Sequence, residues 1–291
     1  MNGRCLDLAK DNVVWVAGSG RSGTSWLASL INYRNDFRYI FEPLNPRFLP
    51  CRDIDIDWMP RTEDTDHLLS NIITGKVSTP WANSRNRKWV ARSRLIKAIR
   101  SNMMVPWINQ NFPEAKVVLL IRNPLAVAAS RKKLSIHSSG NWEWRPSPEV
   151  LLAQPSIRSL LTQEEQNLLS SQLERGVVYE TIVDWIITNL LAFRLIDFET
   201  NHLVYYENLA RKKHQVIEEL FDFVKVPKAP DMQEYFDKKS HTTRNSGDGL
   251  VSHDPLEAWK QVLSKQEISE SRGLLANFAI DRFYTESFEP V

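Results

Sequence analysis

The chain has 291 residues, 42% of them apolar and 25% charged, which allows one large globular domain and excludes disordered, collagen-like and disulfide-stapled classes. A formal net charge of +2 is too small to argue for bulk electrostatic binding of nucleic acid, so an anionic ligand must be met by cations placed locally. The two cysteines, Cys5 and Cys51, form no CxxC and no His/Cys cluster at metal-ligand spacing, so neither a disulfide framework nor a metal site is expected.

The N-terminal stretch MNGRCLDLAKDN has no apolar signal-peptide core. The longest aliphatic run, Val117 to Ile121, falls far short of the ~20 residues that span a bilayer, so a soluble protein without a membrane partner is expected. Val13 to Ala17 is a short apolar run ending in glycine-rich sequence, the pattern of a buried parallel strand that feeds a phosphate loop. From Thr24 the apolar residues Trp26, Leu27, Leu30 and Ile31 fall at helical spacing. A second strand, Arg38 to Phe41, stops at Glu42-Pro43, because proline supplies no ladder donor and pushes the residue before it away from helix.

Residues from about 50 to 90 carry Pro60, Gly75 and Pro80 without strong periodicity and read as an irregular excursion over the strand ends. Leu95 to Asn111 reads as a helix, and Lys116 to Arg122 as a buried strand. Asn123-Pro124 then supplies a helix cap and a favoured first residue for a helix running to about Lys132. The stretch from about 133 to 176 interrupts the alternation and reads as an insertion in the acceptor region of a single domain covering 1–291. Tyr179 to Leu195 returns to helical spacing, His202 to Tyr206 is a further strand, and Leu209 to Val224 is an amphipathic helix. Repeated strand-then-helix units imply an α/β fold of P-loop type, three layers deep, with a central parallel sheet of about four to five strands flanked by helices.

The loop Gly18-Ser19-Gly20-Arg21-Ser22-Gly23-Thr24-Ser25 has the glycine spacing of GxxxxGK[ST], with threonine in place of lysine. Its glycines let backbone N–H groups face inward, and the helix start adds its positive dipole end, so a single phosphate or phosphosulfate fits there. The missing lysine removes the contact to a β/γ-phosphate. The strand ending in Arg122 places a cation where a kinase or ATPase has its magnesium-binding aspartate. Arg21 lies inside the loop, placed to neutralise charge on a departing phosphate oxygen.

RSGTSWL, then a strand ending in arginine, then IRNPLAVAASR, together resemble the sulfotransferase superfamily. Tyr206-Glu207-Asn208-Leu209 and Trp259-Lys260 resemble its late motifs, so the likeness covers roughly 13 to 284. FEPLNP, LIKAIRSN and the segment Asp184 to Asn189 look closer to its carbohydrate-type branch.

The resemblance implies transfer of a sulfuryl group from 3′-phosphoadenosine 5′-phosphosulfate to a hydroxyl of a glycan acceptor, releasing adenosine 3′,5′-bisphosphate, with no metal. It implies that Ser19 to Ser25 hold the 5′ end, that Arg122 and Ser130 hold the 3′-phosphate, that Trp26 stacks the adenine, and that Arg244 reaches the 3′-phosphate from a covering loop. The compact Arg-Lys-Gly signature of the cytosolic branch is missing around Arg244. Relatives that sulfate glycans in the secretory pathway carry a membrane anchor. None precedes the first strand here, so a cytoplasmic enzyme of bacterial type, or a trimmed catalytic domain, is expected.

Glu42 ends the second strand at the sheet edge where open α/β folds bind ligands, and is the candidate general base. The bland alternative is a glutamate paired with an arginine or capping a turn. The histidine motif of the cytosolic branch is absent, which leaves His67 and His137 as substitutes. The basic run Arg85, Arg87, Lys88, Arg92, Arg94, Lys97 and Arg100 is either a steering surface for an anionic acceptor or a solvated face; Lys97 falls in LIKAIRSN and is assigned to the acceptor cleft by resemblance. Trp142 and Trp144 are either a sugar platform or the private core of the insertion. Two other functions stay open: a P-loop nucleotide kinase, and a nucleotide-binding module without catalysis.

Overall fold

The structure is a computed structural model that describes residues 6–8, 12–45, 48, 63–99, 101–137, 147–228, 233–236 and 256–291. A two-residue strand β1 (Leu6–Asp7) precedes β2 (Val13–Gly18), α1 (Thr24–Ile31), β3 (Phe37–Phe41) and α2 (Glu63–Ile73). Then come β4 (Val90–Ala91), β5 (Ser93–Ala98), a 3₁₀ turn at Asn102–Met104, α3 (Val105–Asn111), β6 (Lys116–Ile121) and α4 (Pro124–His137). Three short helices follow, α5 (Pro148–Ala153), α6 (Pro155–Arg158) and α7 (Gln163–Ser170), before α8 (Val177–Trp185), which passes directly into a π-helical turn at Ile186–Leu191. The chain closes with β7 (His202–Tyr205), α9 (Tyr206–Arg211), α10 (Lys213–Val224), α11 (Gln233–Phe236) and α12 (Lys265–Ala276).

Five strands form one parallel sheet in the order β3-β5-β2-β6-β7. Alternation within β2 sends Val13, Trp15 and Ala17 to one face and Val14 and Val16 to the other, and β6 splits Val117, Leu119 and Ile121 from Val118 and Leu120 in the same way. The first face packs under α3, α4, α8 and α12 through residues such as Ile108, Val127, Trp185 and Leu274; the second packs under α1 and α10 through Leu27, Ile31, Ile217 and Leu220. Both faces are covered, which is why β2 and β6 read as continuous apolar runs.

Leu95 to Asn111 is not one helix. Residues Ser93–Ala98 form β5, inserted between β3 and β2, and helix occurs only from Val105. Leu95, Ile96 and Ala98 are fully buried, and an apolar run this short fits a two-sided strand as well as a helix. The excursion before it holds α2, whose buried Leu68, Leu69 and Ile72 pack on the first face below an acidic first turn. The predicted insertion is helical where described, from α5 to α7, and Lys212 breaks the predicted Leu209 to Val224 helix into α9 and α10.

Crossovers between parallel strands carry every β2, β3, β5, β6 and β7 C-terminus to the same end of the sheet. The phosphate loop, Glu42, Ile99, Arg122 and Tyr206 all leave their strands there.

Candidate active site

Gly18 leaves β2 in a conformation where an added Cβ would sit 2.6 Å from the Leu120 carbonyl oxygen, so the loop lies directly against the neighbouring strand. Gly23 caps α1 with φ 97°, and a Cβ there would sit 2.6 Å from the Tyr206 ring. These contacts hold the backbone of residues 19–24 at the N-terminus of α1, where N–H groups and the helix dipole favour an anion. Arg21 (φ 74°) and Glu42 (φ 45°) are non-glycine residues in the left-handed region, which costs on the order of 1–3 kcal/mol each and is found at ligand clamps and active sites.

The two arginines expected at opposite ends of a nucleotide meet. Arg21 Nε donates to Ser130 Oγ at 3.0 Å, and Arg122 Nη1 donates to the Arg21 carbonyl at 3.0 Å. Arg122 also lies over the Tyr206 ring, 4.2 Å from its centroid, and Trp26 meets the same ring edge-on at 5.8 Å. The Arg122 Nε is buried and has no hydrogen-bond partner among the described residues. A buried guanidinium donor beside a glycine-built backbone cradle suits an anion carried by an aromatic-stacking group.

Arg122 is held from behind. Trp185 Nε1 donates to its carbonyl at 3.0 Å, and Glu207 Oε1 accepts the N–H of the next residue, Asn123, at 2.9 Å. Tyr284 OH donates to Glu207 Oε2 at 3.1 Å. Burial pushes the Glu207 carboxyl above its ordinary range, against the pull of the Asn123 N–H and of Arg122. Burial likewise pushes the Tyr284 phenol up.

Glu42 is 6% exposed, accepts the Ile99 N–H at 3.3 Å and pairs with Lys97, which is 3% exposed. The Glu42 backbone is tied into the same corner: its N–H donates to Lys97 O at 2.8 Å and its carbonyl accepts Trp81 Nε1 at 3.3 Å. Lys97, expected toward the acceptor, is thus engaged with the candidate base.

The rest of the basic run splits up. Arg94 donates to the Ile73 carbonyl, Lys88 pairs with Asp36, and Arg85 lies over the Phe41 ring beside Glu42. His67 bonds to Asn71, one turn along α2. Trp142, Trp144, Arg244 and Arg100 lie outside the described residues, as does the His137 side chain.

Residues with no assigned role in the sequence complete the site. Arg131, next to Ser130, pairs with Asp184 at 2.6 Å and reaches the Gly20 carbonyl at 3.5 Å. Thr188 and Asn189, on the π-helical turn, both touch Ser19. Their only signals in the sequence are the Ser-Arg pair on α4 and the Asp184 to Asn189 segment.

The family model described as "Sulfotransferase domain" matches residues 11–248. Carbohydrate sulfotransferase 3 of Mus musculus is 26% identical over 173 residues, which cover 57% of this chain and 33% of that relative, so the chain spans about a third of its length. Among solved structures, mouse sulfotransferase SULT7A1, complexed with PAP, matches at a TM-score of 0.50 and 13% identity, covering 94% of this chain and 86% of that one. A sulfotransferase domain from the curacin biosynthetic pathway matches at 0.47 and 16%, covering 92% and 98%. The family match covers most of the chain and takes in the phosphate loop, the Arg122–Ser130 motif and the Tyr206 corner, and this chain therefore belongs to the sulfotransferase family.

Proposed function

We propose that this chain transfers a sulfuryl group from 3′-phosphoadenosine 5′-phosphosulfate to a hydroxyl of a carbohydrate acceptor, releasing adenosine 3′,5′-bisphosphate. One observation carries the reading: Arg21 of the lysine-free loop bonds to Ser130 and Arg122, two residues from outside the loop that can take a second anion. A donor with one 5′ anion and one 3′-phosphate needs two such places; a nucleoside triphosphate needs its second cation further along one chain of phosphates. The carbohydrate acceptor is supported by the name of the mouse relative and by the FEPLNP and LIKAIRSN resemblance.

The donor supplies a sulfur–oxygen bond that breaks as the acceptor oxygen attacks sulfur, leaving the electron pair on the 5′-phosphate. In this reading the amides of residues 19–24 and the guanidinium of Arg21 face that phosphate and stabilise its growing charge. Arg122 and Ser130 hold the 3′-phosphate, and Trp26, braced edge-on by Tyr206, stacks the adenine. Glu42 takes the acceptor's proton, with Lys97 and the Ile99 N–H fixing its carboxylate and Lys97 balancing its charge.

Donor labelled with ³⁵S, incubated with panels of carbohydrate, phenolic and steroid hydroxyls, tests the reading. Label is expected on a carbohydrate, with stoichiometric release of the bisphosphate. Donor binding without label on any acceptor would favour a non-catalytic nucleotide module.

A further inference from the structure

Ser19 and Ser22 resemble ligand contacts in sequence, but their hydroxyls face the protein. The Thr188 hydroxyl has one hydrogen, which it donates to the Asp184 carbonyl at 2.7 Å. In the 3.0 Å contact between the Thr188 and Ser19 hydroxyls, Ser19 must therefore be the donor. Ser19 Oγ in turn accepts from Asn189 Nδ2 at 2.8 Å, so its single hydrogen is already spent when a phosphate arrives. Ser22 turns the same way, donating its hydroxyl to the Ser19 carbonyl.

Asn189 is itself fully engaged. Its second Nδ2 hydrogen goes to the Trp185 carbonyl at 3.0 Å, and its Oδ1 accepts from Asn102 Nδ2 at 3.2 Å on the turn after β5. Ser19, Asn102 and Asn189 are 3%, 4% and 1% exposed. Polar groups this deep are costly unless hydrogen-bonded, and a bonded network fixes the geometry of the groups it joins. The backbone explains how two consecutive side chains reach one hydroxyl: the widened turn at Ile186–Leu191 is π-helical, a rare form that is frequent at functional sites. One turn earlier, Asp184 holds Arg131, which reaches the Gly20 carbonyl, and Trp185 holds the Arg122 carbonyl.

We propose that the π-helical turn sets the phosphate loop, with Asn189 the positioning residue that acts through the Ser19 hydroxyl, and that Ser19 serves the donor through its backbone alone. The assignment rests on the donor reading above, in which residues 19–24 face the 5′ end and Arg122 with Ser130 faces the 3′-phosphate. Removing the Asn189 amide releases the loop but leaves Trp185, and with it Arg122, in place.

Titration calorimetry with adenosine 5′-phosphate, adenosine 3′-phosphate and the 3′,5′-bisphosphate tests this on Asn189→Leu, a variant with the same branching and no polar side-chain atoms. Affinity for the two 5′-phosphorylated ligands is expected to fall by the same factor, about tenfold for one or two buried hydrogen bonds, with the 3′-phosphate unchanged. Ser19→Ala is expected to give the same pattern, and the double variant to be no worse than the more severe single, because both changes cut one link.

Equal loss for all three ligands, loss for none, or additive effects in the double variant would overturn the inference. If Asn189→Leu fails to fold, Thr188→Val and Ser19→Ala carry the same comparison. A wild-type protein that ignores the 3′-phosphate altogether would instead overturn the donor reading and leave the loop inference to the 5′-phosphate arm.

Discussion

Glu42 and Lys97 are buried as an ion pair at the sheet edge, and this shapes how the candidate base can be tested. Breaking a buried pair by neutralising one partner costs on the order of 3–5 kcal/mol, whereas replacing both partners is often close to neutral. Glu42→Gln is therefore expected to lose both stability, by about that amount, and turnover. Glu42→Gln/Lys97→Met should recover most of the stability in urea unfolding and still turn over at least ~10²-fold more slowly with donor binding intact. A double variant that regained turnover together with stability would show the glutamate to be structural.

Glu42 was legible because Glu-Pro ends an apolar run. Its partner was not, since the pair spans 55 positions and Lys97 lay in a segment read as helix. Arg21, Arg122 and Ser130 were each readable from local motifs, but that Arg21 bonds to Ser130 required the fold.

At the scale of elements, four strands were legible: β2 and β6 as apolar runs, the end of β3 before Pro43, and β7 as a short run between two helical stretches. The fifth strand, β5, was hidden because its run is short and contains Arg94 and Lys97. Both are buried, with partners distant in sequence, the Ile73 carbonyl and Glu42, among those that satisfy them. α2 was hidden between Pro60 and Gly75, with only 11 residues in which to show a period. The π-helical turn has no sequence period of its own, so Thr188 and Asn189 could be placed in a segment but not aimed.

α9 and the C-terminal segment meet at Glu207, where the buried carboxyl ties Tyr284 to the Asn123 N–H beside Arg122. Because burial raises its proton affinity, the folded chain holds more protons here than the unfolded chain from about pH 4.5 up to the raised value. Stability from this group is thus present below pH 4.5, lost as pH rises through that window, and level above it. Glu207→Gln, which keeps an acceptor for Asn123, is expected to gain stability relative to the parent chain as pH rises from 4.5, measured as urea midpoints. A difference independent of pH would contradict the burial effect.

For the whole molecule, one parallel sheet with covered faces brings loops distant in sequence to a single edge, and no helix among the described residues is long and apolar enough to cross a membrane. At that edge the glycine-rich loop lacks the lysine of nucleoside-triphosphate enzymes, and Arg122 and Ser130 lie against it through Arg21, which is the pair proposed above for a second anion. Calorimetry comparing adenosine 3′,5′-bisphosphate with ATP plus magnesium tests the proposed two-anion site most directly, with Arg122→Ala as its internal control. The bisphosphate should bind at least tenfold more tightly than ATP, and Arg122→Ala should erase that preference while sparing adenosine 5′-phosphate. Equal or tighter binding of ATP with magnesium, or equal losses for both adenosine ligands in Arg122→Ala, would contradict it.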